Sequence, residues 1–169
     1  MSIKEYLDNV NKRFKSGISR EHSYRGDLQT LLESIASDVL VTNEPSRIEC
    51  GAPDYIITKK DIPVGYIEAK DIGKSLDSKE FKEQFDRYRK SLNNLIITDY
   101  LDFWLYIEGE FVTSIKIAEI KNNIIISLNE NHEQFLTLIK DFCNRTSQTI
   151  KSASKLSKMM AGKAKMLAQ

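Results

Sequence analysis

The chain has 169 residues, 41% hydrophobic and 29% charged, which suits one ordinary domain with a single core and one appended element but excludes two large domains. Its 25 Lys and Arg nearly balance 24 Asp and Glu, for a formal net charge of +1, so there is no global basic field, and any nucleic-acid surface has to be local. No apolar run approaches the roughly 20 residues that cross a bilayer, and the opening MSIKEYLDNV carries charge where a signal peptide needs an apolar stretch. Cys50 and Cys143 stand far apart without the partners of a zinc site and read as free thiols. The expectation is a soluble, cytoplasmic protein without membrane contact.

In chain order, Ile3, Tyr6, Leu7, Val10 and Phe14 recur at helical spacing, and after Gly17 a second helix is predicted by Tyr24, Leu28, Leu31, Leu32 and Ile35. Strands are predicted at Val39 to Thr42, Asp54 to Thr58 and Val64 to Ala69, with Lys59, Lys60 and Asp61 as the turn of a strand pair. Asp77 to Leu92 is charged, with Phe81, Phe85 and Tyr88 forming the stripe of a surface helix. Asn94 to Thr98 follows as a buried strand. Phe103 to Ile107, Phe111 to Ile117 and Asn123 to Leu128 are then three further strands, the first two joined at Glu108, Gly109 and Glu110. Phe135, Leu136, Leu138, Ile139 and Phe142 rebuild a helix. From Arg145 to Gln169 no acidic residue occurs, so the chain divides into a domain over 1–144 and a basic, helical segment over 145–169.

The chemistry-bearing residues lie on the second and third predicted strands. Asp54 opens one apolar strand, and Glu68 and Lys70 stand at i and i+2 on the next, so the latter two share a face. A hairpin brings Asp54 toward that face. Two convergent carboxylates, the Ala69 carbonyl and phosphate oxygens make a hard oxygen site suited to Mg²⁺, with Mn²⁺ as a substitute. Such an ion offsets phosphate charge and acidifies the attacking water, and Lys70 would orient that water and stabilise developing charge. An Asp followed by Glu-X-Lys also describes an exposed ion pair on a solvent-facing strand. What favours a site is that all three charges interrupt runs apolar enough to be buried, where unexplained charge is costly.

The order helix, strand, strand, strand, helix, strand, with Pro53-Asp54 on one strand and Glu68-Ala69-Lys70 on the next, resembles the PD-(D/E)XK restriction-endonuclease-like core. Glu21-His22-Ser23-Tyr24-Arg25, Asn43-Glu44-Pro45, Gly51-Ala52-Pro53-Asp54 and Gly65 to Lys74 narrow the resemblance. Together they are similar to the N-terminal Mrr-like nuclease domain of single-polypeptide, type ISP-like restriction-modification enzymes. The resemblance implies an α/β fold with a mixed central sheet flanked by helices. It implies Mg²⁺-dependent endonuclease action on double-stranded DNA, leaving 5′-phosphate and 3′-hydroxyl ends, in a prokaryotic phage-defence setting. Helicase-like and methyltransferase domains of a parent enzyme are the implied partners, with the basic segment as connector, and double-strand cleavage would call for a transient dimer.

The same resemblance assigns Gln84 and Tyr88 to a Gln-X-X-X-Tyr element beside the catalytic lysine; the plain reading makes Tyr88 core and Gln84 surface. Glu21 either supports the metal or simply favours the helix N-terminus, and Tyr24 and Arg25 either meet DNA or brace Glu21. Asp71 is expected to order its loop. Lys74, Lys79, Lys82, Arg87, Arg89 and Lys90 are interleaved with acids and read mainly as an ion-paired, solvated face. His22 and His132 are surface or capping residues. The rival functions are a catalytically silent DNA-binding or docking module of the same fold, and a junction-resolving or RNA-directed nuclease.

Overall fold

A computed structural model describes residues 1–145, so the basic segment expected over 145–169 lies, Arg145 apart, outside the described residues. Helix α1 (Ile3–Lys15) starts where the Ser2 side chain accepts a hydrogen bond from the Glu5 amide at 3.1 Å, and it buries Ile3, Tyr6, Leu7 and Val10. It ends at Gly17, whose φ of +73° takes the left-handed turn that stops a helix. A short 3₁₀ turn (Glu21–Tyr24) leads into α2 (Arg25–Ile35), which buries Leu28, Leu31 and Leu32.

The next strands are β1 (Leu40–Asn43), β2 (Tyr55–Lys59) and β3 (Ile62–Ala69). Lys60 and Asp61 both adopt positive φ, 51° and 66°, the geometry of a tight turn whose twist matches its flanking strands. Helix α3 (Lys82–Ser91) then carries the chain across to β4 (Asn94–Thr98), which runs parallel to β3. A parallel neighbour requires such a crossover. Strands β5 (Asp102–Ile107) and β6 (Glu110–Lys116) complete a six-stranded sheet of order β1-β2-β3-β4-β5-β6, antiparallel except at β3 and β4. The mixed sheet flanked by helices is the architecture expected.

Both faces of the sheet are covered, because side chains alternate along each strand. Ile67, Ile96, Phe103 and Leu105 join the large core formed with α1, α2 and α4 (His132–Cys143), whereas Leu95, Ile97 and Tyr106 meet Phe85 and Tyr88 of α3 and its capping residue Leu92 in a smaller one. Trp104 packs partly buried on this second side, so a strand packed on both faces explains Trp104 and Tyr106. Cys50 and Cys143 are free and buried. His132 sits at the start of α4 with Nε2 3.0 Å from the Ser127 hydroxyl.

Three expectations need correction. The strand expected over 111–117 is present as β6, ending one residue early at Lys116, but Ala118–Lys121 is an unforeseen strand, β7, paired with β8 (Ile124–Ser127) in a separate two-stranded sheet. Asn122 and Asn123, at φ 51° and 60°, form the hairpin turn, so Asn123 belongs to a turn and not to a strand. The helix expected over Asp77 to Leu92 begins as a 3₁₀ turn (Lys79–Phe81), with Ser78 accepting from the Glu80 amide.

Gly65 lies directly beneath α4, where a Cβ would collide with the Phe142 ring. The same helix end is tied down by Asn94, whose Nδ2 donates to the carbonyls of Val64 at 2.7 Å and Phe142 at 2.9 Å. Gly65→Ala is therefore expected to destabilise the protein by about 1–3 kcal/mol through overpacking. Urea unfolding would measure this, and Phe142→Leu in the same chain should restore part of the loss.

Candidate active site

The pairing of Tyr55 with Ile67 in the β2 and β3 hairpin sets Asp54 beside the end of β3. The Asp54 amide donates to Glu68 Oε2 at 3.3 Å, and the Ala69 amide donates to Asp54 Oδ2 at 2.8 Å. The Lys70 amide continues the parallel pairing by donating to the Thr98 carbonyl at 2.8 Å. Ile67 and Ala69 enter the large core, and alternation turns Glu68 and Lys70 the other way, toward α3. There the Lys70 ammonium donates to Gln84 Oε1 at 2.7 Å and lies 3.5 Å from Glu68 Oε1. The Phe81 and Phe85 rings hold it from the side, at 4.8 Å and 5.7 Å from their centroids.

These charges are nearly out of water: Asp54 is 8% exposed and Glu68 4%. Burial, reinforced by the Asp54 charge and opposed by Lys70, pushes Glu68 up to about 8. Asp54 is met by a cation that its sequence neighbourhood does not announce. Arg25, from the first turn of α2, places Nη2 on Asp54 Oδ1 and Nη1 on Glu44 Oε1, the latter at 2.6 Å. Burial works against the guanidinium charge, but Asp54 and Glu44 outweigh it, and Arg25 is held more firmly protonated than usual.

Of the candidate residues, Asp54, Glu68, Ala69, Lys70 and Gln84 converge. Tyr88 is 1% exposed in the smaller core, yet its ring edge and hydroxyl lie close under Gly51. Its hydroxyl is raised first by burial and then by the Glu68 charge, with the Gln84 side chain acting in the opposite direction. Tyr88 is thus a core residue that also adjoins the carboxylate and lysine group. Glu21 has its carboxylate 3.8 Å from Arg25 Nη2, the nitrogen that also meets Asp54, so in the cation-free protein it braces the arginine at the side of the carboxylate pair. It also lines, with Lys70, Asp71, Lys74, Glu80 and Phe81, a cleft of about 230 Å³ that opens on the site. His22 stays at the rim, 3.9 Å from Glu21. On α3, Lys82 pairs with Asp86 at 2.6 Å and Arg87 with Glu83 at 2.7 Å, as expected of a solvated face.

Among the described residues no three His, Cys, Asp or Glu side chains gather as a metal cage. The donor set nonetheless suits a hard cation that keeps most of its waters, for which one or two carboxylates suffice. Two adjacent buried carboxylates, one of them driven toward protonation, are the environment that a divalent ion relieves.

Glu68 also makes a pH prediction for the cation-free protein. Its folded value lies above its ordinary value of 4.5, so its contribution to stability is fully present below about 4.5 and is lost as pH rises through about 8. Glu68→Gln should gain thermal stability relative to the parent chain at pH 9 in EDTA, and that gain should disappear near pH 5.

No protein-family model matches this chain, and no curated protein matches it. Among solved structures it is similar to a chain in the cryoEM structure of the DrdV–DNA complex, with a TM-score of 0.64 and 22% sequence identity. The match covers 85% of this chain but 14% of that one, so the present chain spans a small part of its neighbour's length. At this identity the likeness establishes the fold, which is that of one segment of a much longer, DNA-bound protein.

Proposed function

We propose that this chain is a Mg²⁺-dependent DNA endonuclease module of the PD-(D/E)XK type, the cutting part of a larger restriction-modification enzyme. The observation that carries the proposal is the convergence of Asp54, Glu68 and Lys70, hydrogen-bonded into one buried group beside an open cleft. The fold neighbour bound to DNA supports the choice of substrate, and the small share of that neighbour covered supports a modular role. Sequence recognition, on this reading, resides in other domains. The convergent carboxylates argue against a silent docking module, which gains nothing from burying two like charges side by side.

Asp54 and Glu68, with the Ala69 carbonyl, would hold the cation. Bound there, Mg²⁺ would offset the phosphate charge and lower the pKa of the attacking water. Lys70 would orient that water and stabilise the negative charge that builds on the phosphoryl oxygens. Its ammonium is poised for this because Gln84, Glu68 and two aromatic rings restrict it before substrate arrives. Gln84 thus acts through Lys70, and Tyr88 fixes the ground on which Gln84 and Gly51 sit.

Supercoiled plasmid incubated with Mg²⁺ and a high concentration of the chain tests this reading. Wild type should nick it, and Asp54→Ala and Lys70→Ala should each lose roughly 10²–10³-fold in rate, the scale for removing one preorganised electrostatic group. Equal nicking by all three proteins overturns the mechanism. Should wild type prove inert, Mg²⁺ calorimetry decides, and the absence of binding that depends on Asp54 overturns the site.

A further inference from the structure

The proposed catalytic residues leave Arg25 unexplained. Arg25 is a buried residue, 8% exposed overall and 10% in its side chain, and among the described residues its Nε has no hydrogen-bond partner. It stands at the first turn of α2, where the helix dipole disfavours a positive charge. A buried ion pair is in general a weak source of stability, so a purely structural role accounts poorly for a cation placed against the dipole with one donor unpaired. The backbone beneath it is nevertheless firmly fixed. The Tyr55 hydroxyl donates to the Arg25 carbonyl at 2.9 Å, and the Tyr100 hydroxyl donates to the Glu21 carbonyl at 2.6 Å.

The division of labour on Asp54 is informative. Oδ2 is engaged by the Ala69 amide, and Oδ1 by Arg25 Nη2. Oδ1 is therefore the oxygen for which a guanidinium and a metal ion compete. On its outer side Arg25 already touches Glu44, whose side chain is 67% exposed, and has Glu21 at 3.8 Å. Those two carboxylates already share the same charge, and they remain as its partners if Asp54 Oδ1 is given up.

We propose that Arg25 is the resident counter-ion of the Asp54 and Glu68 pair, a positioning residue that occupies Asp54 Oδ1 in the cation-free protein. It yields to a divalent cation by shifting onto Glu44 and Glu21, and so sets the cation affinity of the site. The proposal rests on the nuclease reading of that pair. It makes Glu44, a rim residue, a participant in cation binding through Arg25.

Mn²⁺ calorimetry on the full chain without DNA gives a readout independent of cleavage. Arg25→Gln should bind Mn²⁺ about tenfold more tightly than wild type, a 1.4 kcal/mol change. Glu44→Gln should bind it several-fold more weakly, because the guanidinium loses its alternative seat. The effect of Glu44→Gln should vanish in the Arg25→Gln background. Because removing a carboxylate near a cation weakens its binding on charge alone, the cycle decides: with a merely structural arginine the effect of Glu44→Gln would persist undiminished in the Arg25→Gln background. Unchanged affinity in Glu44→Gln overturns the proposal, including when Arg25→Gln does not fold. Asp54→Asn separates the two levels: if wild type binds no Mn²⁺ that this variant loses, the metal site itself fails. If Asp54→Asn abolishes binding while Arg25→Gln and Glu44→Gln match wild type, only the role of Arg25 fails.

Discussion

Two carboxylates brought together at the edge of a protein core repel one another. In general a pair of like unit charges at about 4 Å and an effective dielectric constant near 20 costs about 4 kcal/mol, a large share of the roughly 5–15 kcal/mol that holds a domain folded. Asp54 and Glu68 are buried neighbours whose charges oppose one another, and the surrounding structure is a set of responses to that. Arg25 neutralises one carboxylate and Lys70 faces the other, while the Ala69 amide and the Asp54 amide supply the remaining hydrogen bonds. The Glu68 carboxyl, left the least compensated, is driven toward protonation. An arrangement so poorly suited to an empty, fully ionised site is well suited to one that receives positive charge from outside.

The compensating groups are themselves anchored from distant parts of the chain. Buried tyrosines perform much of this work: Tyr6 donates to the Tyr100 carbonyl at 2.8 Å, while Tyr100 and Tyr55 fix the turn that carries Glu21 and Arg25. A buried hydroxyl has to find an acceptor, and here the acceptors are backbone carbonyls, so each tyrosine converts the cost of burial into a fixed position for the main chain. On the opposite face of the sheet, α3 and the 3₁₀ turn before it provide Gln84, Phe85 and Phe81 around a single ammonium. The large core thus positions Arg25, and the small core positions Lys70.

Much of this was legible in the sequence, for reasons that can be named. Strand alternation has no free parameters, so Glu68 and Lys70 on one face followed from their spacing alone, and the charged turn at Lys60 and Asp61 implied the hairpin that delivers Asp54. Arg25 was not legible as the partner of Asp54, because the two are 29 residues apart and only tertiary packing joins them. Glu21 stayed open between metal support and a plain helix-start role for the same reason: an acidic residue near a helix start carries no information about which cation it will face. Strand β7 was hidden because Ala118 to Lys121 is short and half polar, and the Asn122 and Asn123 turn signal was absorbed into the following strand. Phe81 and Phe85 read correctly as an apolar stripe, but nothing in their spacing indicated that a lysine would lie against them.

Strand β3 has Gly65, Ile67 and Ala69 on one side and Glu68 on the other, with Lys70 just past its end facing the same way as Glu68, and a slip of one residue in its pairing would exchange these sets. The charges would then enter the core beneath α4, and an aliphatic side chain would take the place of Gly65 against Phe142. A molecule with that error could neither assemble the site nor pack its interior. The alternation that builds the chemistry therefore also acts as a proofreading device, because misfolded chains fail as a class instead of persisting as folded but misdirected ones.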